Sequence, residues 1–224
     1  MTGFQLKLLA ILAMTADHIG AVFFPEIPLL RWIGRLAMPV LCFFIGEGLR
    51  RTRSPRRYLL RLTGFALLSE LPFDLAFYGG IEWGHQNVYF TLALGLLALW
   101  AIQSRGMEGW LLALTAALAA ELLGCDYGMY GVLLILLLDR FHRARSEQLA
   151  AAALLNLAFF GLQTQTLSLI ALPLLWLYNG KRGRDDRRLF YRYYPAHLCV
   201  LGILRFVLEE LEEAYEYGQT NDYL

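Results

Sequence analysis

The sequence predicts an all-α fold, a polytopic transmembrane helical bundle of about nine spans, within a range of roughly eight to ten, forming a single integral membrane domain over residues 1–224. Three observations carry this reading. Hydrophobic residues make up 58% of the chain and mean hydropathy is +0.46, more apolar and less charged than a soluble domain of this length. Apolar stretches that approach the roughly 20 residues needed to cross a bilayer follow one another along the chain. They are rich in Leu and Ala without dyad alternation, and backbone in lipid must satisfy its own hydrogen bonds, so they are helices and not strands. The third observation is the alternating charge of the connections.

Taken in order, the first stretch covers residues 4–24. It is long, follows only Lys7 and lacks a small-residue cleavage site, so it reads as a retained span and not a cleaved signal. The second, 29–49, ends in Arg50, Arg51, Arg53, Arg56 and Arg57. The third, 58–78, leads into YGGIEWGHQ, and the fourth, 88–103, ends at Arg105. The fifth and sixth, 109–124 and 127–141, are joined by GCDYG and followed by Arg140, Arg143 and Arg145. The seventh and eighth, 148–162 and 164–179, are joined by GLQT and followed by Lys181, Arg182, Arg184, Arg187 and Arg188. The ninth, 189–209, runs into the acidic tail EELEEAYEYGQTND. Basic and non-basic connections alternate without exception. The positive-inside rule therefore puts the N-terminus and the basic connections in the cytoplasm and the tail outside. The chain is expected in a cell membrane as a multi-pass protein, in contact with lipid.

Several function classes are excluded or disfavoured. Cys42, Cys125 and Cys199 sit in apolar surroundings without metal-binding spacing, so they read as packing residues and no metal is expected. There is no glycine-rich phosphate loop and no surface suited to nucleic acid. The basic residues fall at helix ends.

The informative residues are the polar ones inside the apolar stretches. A charge near the bilayer centre costs about 2.5–3.5 kcal/mol on insertion scales, so such groups mark a site or a latch. Asp17 and His18 lie in the first span, Arg31 and Arg35 in the second, and Glu70 and Asp74 in the third. His85 and Asn87 stand at the mouth of the fourth, and Asp126 and Tyr127 between the fifth and sixth. At a rise of about 1.5 Å per residue, these positions form one outer-leaflet layer about 10 Å deep. Pro39 and Pro72 remove backbone donors next to it and can bend their helices. Histidine titrates near neutrality, and a partner that fixes its tautomer makes it a general base, so His18 is the leading catalytic candidate. Adjacent helical residues point about 100° apart. Asp17 is therefore expected to pair with an arginine, Arg35, while a carboxylate from another helix, Glu70 or Asp74, orients His18. Glu47 is expected to pair with nearby arginines. Tyr193 and His197 share a face of the ninth span, with His197 near mid-membrane as the second catalytic candidate. The loop from Asn179 to Gly183 combines flexible backbone with Lys181 and Arg182, a composition suited to phosphate.

These pieces together resemble one known family. ADHIGAVFFP, LRWIGRLAMPVLCFFIGEGLRRTR, YLLRLTGFALLSELPFDLAF, NVYFTLALG, CDYGMYGVLLILL, LYNGKRG and YYPAHL occur in the order found in the TraX family of membrane proteins, named for a protein that acetylates conjugative pilin. The resemblance runs nearly end to end. It implies a bacterial inner-membrane acyltransferase that takes an acyl group, acetyl first, from cytosolic acyl-CoA and delivers it at the outer side to an amine or hydroxyl of a protein, peptide or glycan. It implies roles for Asp17, His18, Arg35, Glu70, Asp74, Asn87, Asp126 and Asn179 to Gly183. On the chemistry of the side chains, His18 is the base, Arg35, Asn87 or Tyr127 donates to the thioester oxyanion, and Lys181 and Arg182 hold CoA phosphates. A proton- or ion-coupled carrier is the rival, because it too needs acids and histidines in the bundle. Carriers often show internal repeats, and none is detected here. A scaffold without chemistry explains the topology but not the polar layer.

Overall fold

The computed structural model describes residues 1–184 and 187–221, with side chains over 1–184 and 189–215. The middle of the last basic loop and the end of the acidic tail lie outside the described residues. Ten α-helices and one 3₁₀ segment make up the described chain, with no strand. They are α1 (Gly3–Phe23), α2 (Pro28–Gly34), α3 (Ala37–Arg51), α4 (Pro55–Tyr78), α5 (Val88–Arg105), α6 (Met107–Leu122), α7 (Gly128–Arg140), α8 (Arg145–Phe160), the 3₁₀ segment Thr164–Ile170, α9 (Ala171–Trp176) and α10 (Arg187–Asn221).

These elements follow the apolar stretches with three differences, one of which is that α10 continues past residue 209 into the acidic tail as far as Asn221. The second stretch is two helices broken at Arg35–Leu36. Pro39 supplies the reason: without an N–H it does not bond the carbonyl four residues back, that of Arg35, so the chain turns there and restarts. The eighth stretch is a 3₁₀ segment continued by a six-residue helix. Pro72, by contrast, lies inside an unbroken α4. Among the described residues three stretches are long and apolar enough to cross a membrane, Gly3–Phe23, Pro28–Arg51 and Val88–Arg105, and Thr164–Trp176 is a shorter apolar one. Large apolar side chains cover the outside of the bundle, among them Leu67, Leu111, Leu154 and Ile203. Water does not favour such a surface, and a bilayer does.

Contacts between connections show two ends. At one end the N-terminus docks on the 177–182 loop: Asn179 donates to the Met1 carbonyl, and the first amides of α1, Gly3 and Phe4, donate to the Lys181 and Arg182 carbonyls at 2.8 and 2.9 Å. Arg51 reaches Gly180 O at 2.9 Å, Arg145 caps the Leu175 and Tyr178 carbonyls at 2.8 and 2.9 Å, and Arg50 pairs with Asp139. The basic connections therefore gather around the start of the chain. At the other end the 84–87 and 124–128 turns are joined by Gln86 N donating to the Gly124 carbonyl at 3.0 Å and Asp126 N donating to the Gln86 carbonyl at 2.8 Å. Gly124, at φ +64°, allows the close approach there: a Cβ would stand 2.1 Å from the Gly84 carbonyl oxygen. Asn87 fixes the same corner. Its Oδ1 caps α5 by accepting from Tyr89 N at 3.0 Å, and its Nδ2 donates to Ala66 O at 2.9 Å and to Glu70.

Candidate functional site

One face of α1 organises the site. Gly3, Lys7, Ala10 and Met14 recur at helical spacing along a cavity of about 260 Å³. Its mouth lies at the basic end and carries Lys7, Arg51, Arg61, Arg182 and Arg184. Glu47, the one carboxylate among the described lining residues, is already engaged: Arg50 and Arg51 each approach it at 2.7 Å, and the Tyr178 hydroxyl donates to it at 3.1 Å. Cationic side chains thus predominate over carboxylates among the described residues of the mouth. The middle is aromatic. Lys7 stands over the Phe44 and Phe190 rings, at 4.7 and 5.5 Å, and Arg61 over Tyr191 at 4.9 Å. The inner end closes on Met14, Val88, Tyr89 and Tyr194.

His18 follows Met14 by one turn and is buried. Its Nδ1 lies 2.7 Å from Nε2 of His197, and the Nδ1 of His197 lies 3.0 Å from the Tyr193 carbonyl oxygen. Aromatic rings box the pair. Phe77 and Tyr194 present edges to His18, with centroids at 5.1 and 6.1 Å, and Tyr193 stacks on His197 at 5.0 Å. A second α1–α10 bond runs beside it: the Tyr193 hydroxyl meets Thr15 Oγ1 at 2.6 Å, and Thr15 donates to Ile11 O at 2.8 Å. Because Thr15 uses its proton on that carbonyl, Tyr193 is the donor to Thr15. Tyr194, buried and lining the cavity, packs edge-on against His197 and Tyr89 at 5.5 and 4.8 Å. One ring thus separates the inner end of the cavity from the histidine pair.

The polar layer expected from the sequence lies on the far side of this pair. Arg31 pairs with Asp17 at 2.7 Å, and Gly34 lets α2 approach so closely that a Cβ there would meet the Asp17 carboxylate. Arg35 packs against Tyr127, and its Nε has no hydrogen-bond partner among the described residues. Tyr127 has φ +65°, a conformation uncommon for a non-glycine residue. Asp126, in the connection between α6 and α7, is raised to about 6 by burial, with His85 and Arg35 opposing that shift and Asp17 adding to it. Tyr194 lies within electrostatic reach of both Asp126 and Glu70, so the layer, the histidine pair and the cavity meet at this one tyrosine.

Similarity to known proteins now bears on this arrangement. The family model described as "TraX protein" matches residues 2–205. The chain belongs to the TraX family. A probable fimbrial assembly protein, FimC of serogroup H1, from Dichelobacter nodosus is 35% identical over 93% of this chain and 97% of its own length. Protein TraX of Escherichia coli is 28% identical over 89% of this chain and 85% of its own length. No solved structure matches. The TraX match contains the cavity and the histidine pair and ends at Arg205, before the acidic tail.

Within this TraX-family chain, the residues singled out from sequence separate into groups. His18 and His197 come together as direct partners. Asp17 pairs with Arg31 and not with Arg35, because the break after Arg35 turns that residue toward Tyr127. Among the described residues no carboxylate is hydrogen-bonded to His18, whose partner is His197. Glu70 accepts from the Asn87 backbone at 3.2 Å and from its side chain, and buried Asp74 accepts from Glu82 N at 3.2 Å. The Asn87 amide spends both donors and its acceptor on Ala66, Glu70 and Tyr89, which leaves it nothing for an oxyanion. Asp126 and Tyr127 lie beside Arg35 in the polar layer. In the basic loop, Arg182 lines the cavity, Lys181 is exposed and outside that lining, and Asn179 shapes the turn by accepting from Lys181 N at 3.0 Å. Arg205 caps α4, donating to Ala76 O at 3.3 Å and pairing with Glu209 at 2.7 Å. Tyr89 and Tyr194 were missed. Tyr194 sits in the YYPAHL motif, three residues before His197, a signal that could have found it.

Proposed function

We propose that this chain is a membrane acyltransferase that moves an acyl group, acetyl first, from cytosolic acyl-CoA to an amine or hydroxyl at the outer-leaflet side. The observation that carries the reading is the cavity, cationic at its mouth, aromatic along its walls and ending one ring short of His18. Phosphates suit the arginine-rich mouth. An extended pantetheine arm suits a narrow apolar channel. Lys7 and His18 are eleven residues apart on α1, about 16 Å along the axis, a span such an arm can cover.

In the proposed reaction, Arg182, Arg184 and Lys7 hold the phosphates and the thioester lies by Tyr89 and Tyr194. Nε2 of His18 takes the proton of the acceptor as its nitrogen or oxygen attacks the thioester carbon. A tetrahedral intermediate forms. Its collapse breaks the carbon–sulfur bond, and the CoA thiolate leaves with the proton returned by His18. The positive-inside pattern orients the chain with its N-terminus and basic end in the cytoplasm and nine passes in all. Helices α6, α7 and α8, of 16, 13 and 16 residues, are then short spans of about 20–24 Å that thin the bilayer or lie among neighbours. The name of the Dichelobacter relative makes fimbrial and pilus subunits the first acceptors to try.

The test uses purified protein in nanodiscs with radiolabelled acetyl-CoA, following binding and transfer of label. The reading expects binding, transfer to an acceptor, and a His18→Ala variant that binds but does not transfer. Folded protein that binds no acyl-CoA refutes it.

A further inference from the structure

We propose that His197 is a positioning residue, which holds His18 in the Nδ1-protonated tautomer so that Nε2 is the one basic nitrogen of the pair. The proposal rests on who can donate. The Tyr193 carbonyl oxygen only accepts, so the 3.0 Å contact requires the proton on Nδ1 of His197. A neutral imidazole carries one N–H, so Nε2 of His197 is a lone pair. The 2.7 Å contact between the rings is then a bond in which His18 Nδ1–H donates to His197 Nε2. The same count for His18 leaves its Nε2 unprotonated. A backbone carbonyl thus fixes two tautomers in series, and no acid takes part.

The choice of partner has a physical reason. A carboxylate beside His18 would place an anion inside the bundle, which is expensive in low dielectric. A neutral His–His–carbonyl chain carries no charge at rest. When Nε2 of His18 takes a proton, the Nδ1–H···Nε2 bond becomes charge-assisted and strengthens. His197 thereby stabilises the imidazolium only while it exists, which is when catalysis needs it. The surroundings hold the geometry. Tyr193 stacks on His197, Phe77 closes the other side of His18, and the Tyr193–Thr15 bond pins α10 to α1 beside the pair. The catalytic use of this tautomer rests on the acyltransferase reading, whereas the tautomer itself does not.

The test is ¹⁵N NMR of histidine-labelled protein in nanodiscs, with His18 assigned by loss of its signals in His18→Gln, together with turnover. Expected for the wild type are a protonated Nδ1 on His18, an unprotonated Nε2, and coupling across the N–H···N bond to His197. In His197→Phe, His18 moves toward the Nε2-protonated form and kcat falls about 100-fold while KM for acetyl-CoA stays within about twofold. In His197→Gln, whose amide oxygen accepts the same proton, the tautomer and part of kcat return. This second variant keeps the test decisive if His197→Phe fails to fold. A wild-type His18 with its proton on Nε2, or a His197→Phe protein with tautomer and kcat unchanged, overturns the proposal. The expected tautomer in a folded protein without turnover refutes the acyltransferase reading and leaves the pairing standing.

Discussion

Gly95 on α5 and Ile135 on α7 offer a quantitative test of how the bundle is packed. Both are buried, and a Cβ on Gly95 would stand 2.2 Å from Ile135 Cδ1 but 3.4 Å from its Cγ1. Gly95→Ala alone therefore collides with one methyl group. Ile135 is fully buried, so the methyl has little room to swing away. Overpacking of this kind costs about 1–3 kcal/mol, offset by about 1 kcal/mol from replacing a helical glycine, for a net loss of about 1 kcal/mol. Ile135→Val alone removes the methyl and costs about 0.5–1.5 kcal/mol. In the double variant the new methyl fills the space the old one left. It should unfold near the wild-type midpoint or slightly above it, against an additive loss of about 2 kcal/mol. The assay is SDS-driven unfolding in mixed micelles, followed by tryptophan fluorescence for all four proteins. A double variant whose loss equals the sum of the single losses within about 0.5 kcal/mol would refute the packing of α5 on α7.

Three further predictions follow from the site and its orientation. Burial raises the Asp126 carboxyl to about 6, above the ordinary carboxylate value, so the folded state holds this proton more tightly than the unfolded chain does. Its contribution to stability is present at low pH and lost as pH rises from about 4 to about 6, and Asp126→Asn should flatten that window in unfolding midpoints measured across pH. Arg182→Glu leaves the backbone carbonyl that caps α1 in place while reversing a charge at the cavity mouth. Equilibrium titration should show acetyl-CoA binding weakened about tenfold or more at low salt, with the difference narrowing as salt is added. For orientation, with exposed Cys199 first replaced by alanine, a Glu82→Cys protein in intact cells should react with an impermeant maleimide, and an Arg184→Cys protein should react only after the membrane is opened.

Much of the fold was legible because lipid imposes simple rules. Most apolar stretches became helices with boundaries close to those expected, the second, eighth and ninth excepted, and the arginine-rich connections gathered at one end. Glu47 lies three and four residues before Arg50 and Arg51, and that spacing alone announced its ion pairs. The break at Arg35–Leu36 was signalled by Pro39, whose missing N–H leaves the Arg35 carbonyl four residues back without its helical donor. That break decided which arginine meets Asp17, since Arg31 and Arg35 share a face only while the helix continues. The histidine pair was half legible. Each histidine was visible as a polar group in an apolar stretch, but they are 179 residues apart and no local spacing joins them. Asn87 looked like a free donor at a helix mouth, because a sequence does not show that Glu70 and Ala66 use its amide. Tyr194 and Tyr89 were hidden for a different reason. Aromatic residues are common in apolar spans, and only the cavity distinguishes these two from packing residues.

The central claim is that the cavity beside α1 is the acyl-CoA site. Its most direct test is the affinity of acetyl-CoA for folded protein with the cavity open and with it filled. Ala10 and Leu41 both line it, and tryptophan at either position would occupy the channel between the mouth and His18. Equilibrium titration in nanodiscs should give saturable binding to the wild type and strongly weakened binding to Ala10→Trp and Leu41→Trp. A Leu111→Trp control on the exposed face of α6 should bind as the wild type does. Unchanged affinity in both filled variants, with their folding intact, would contradict the account.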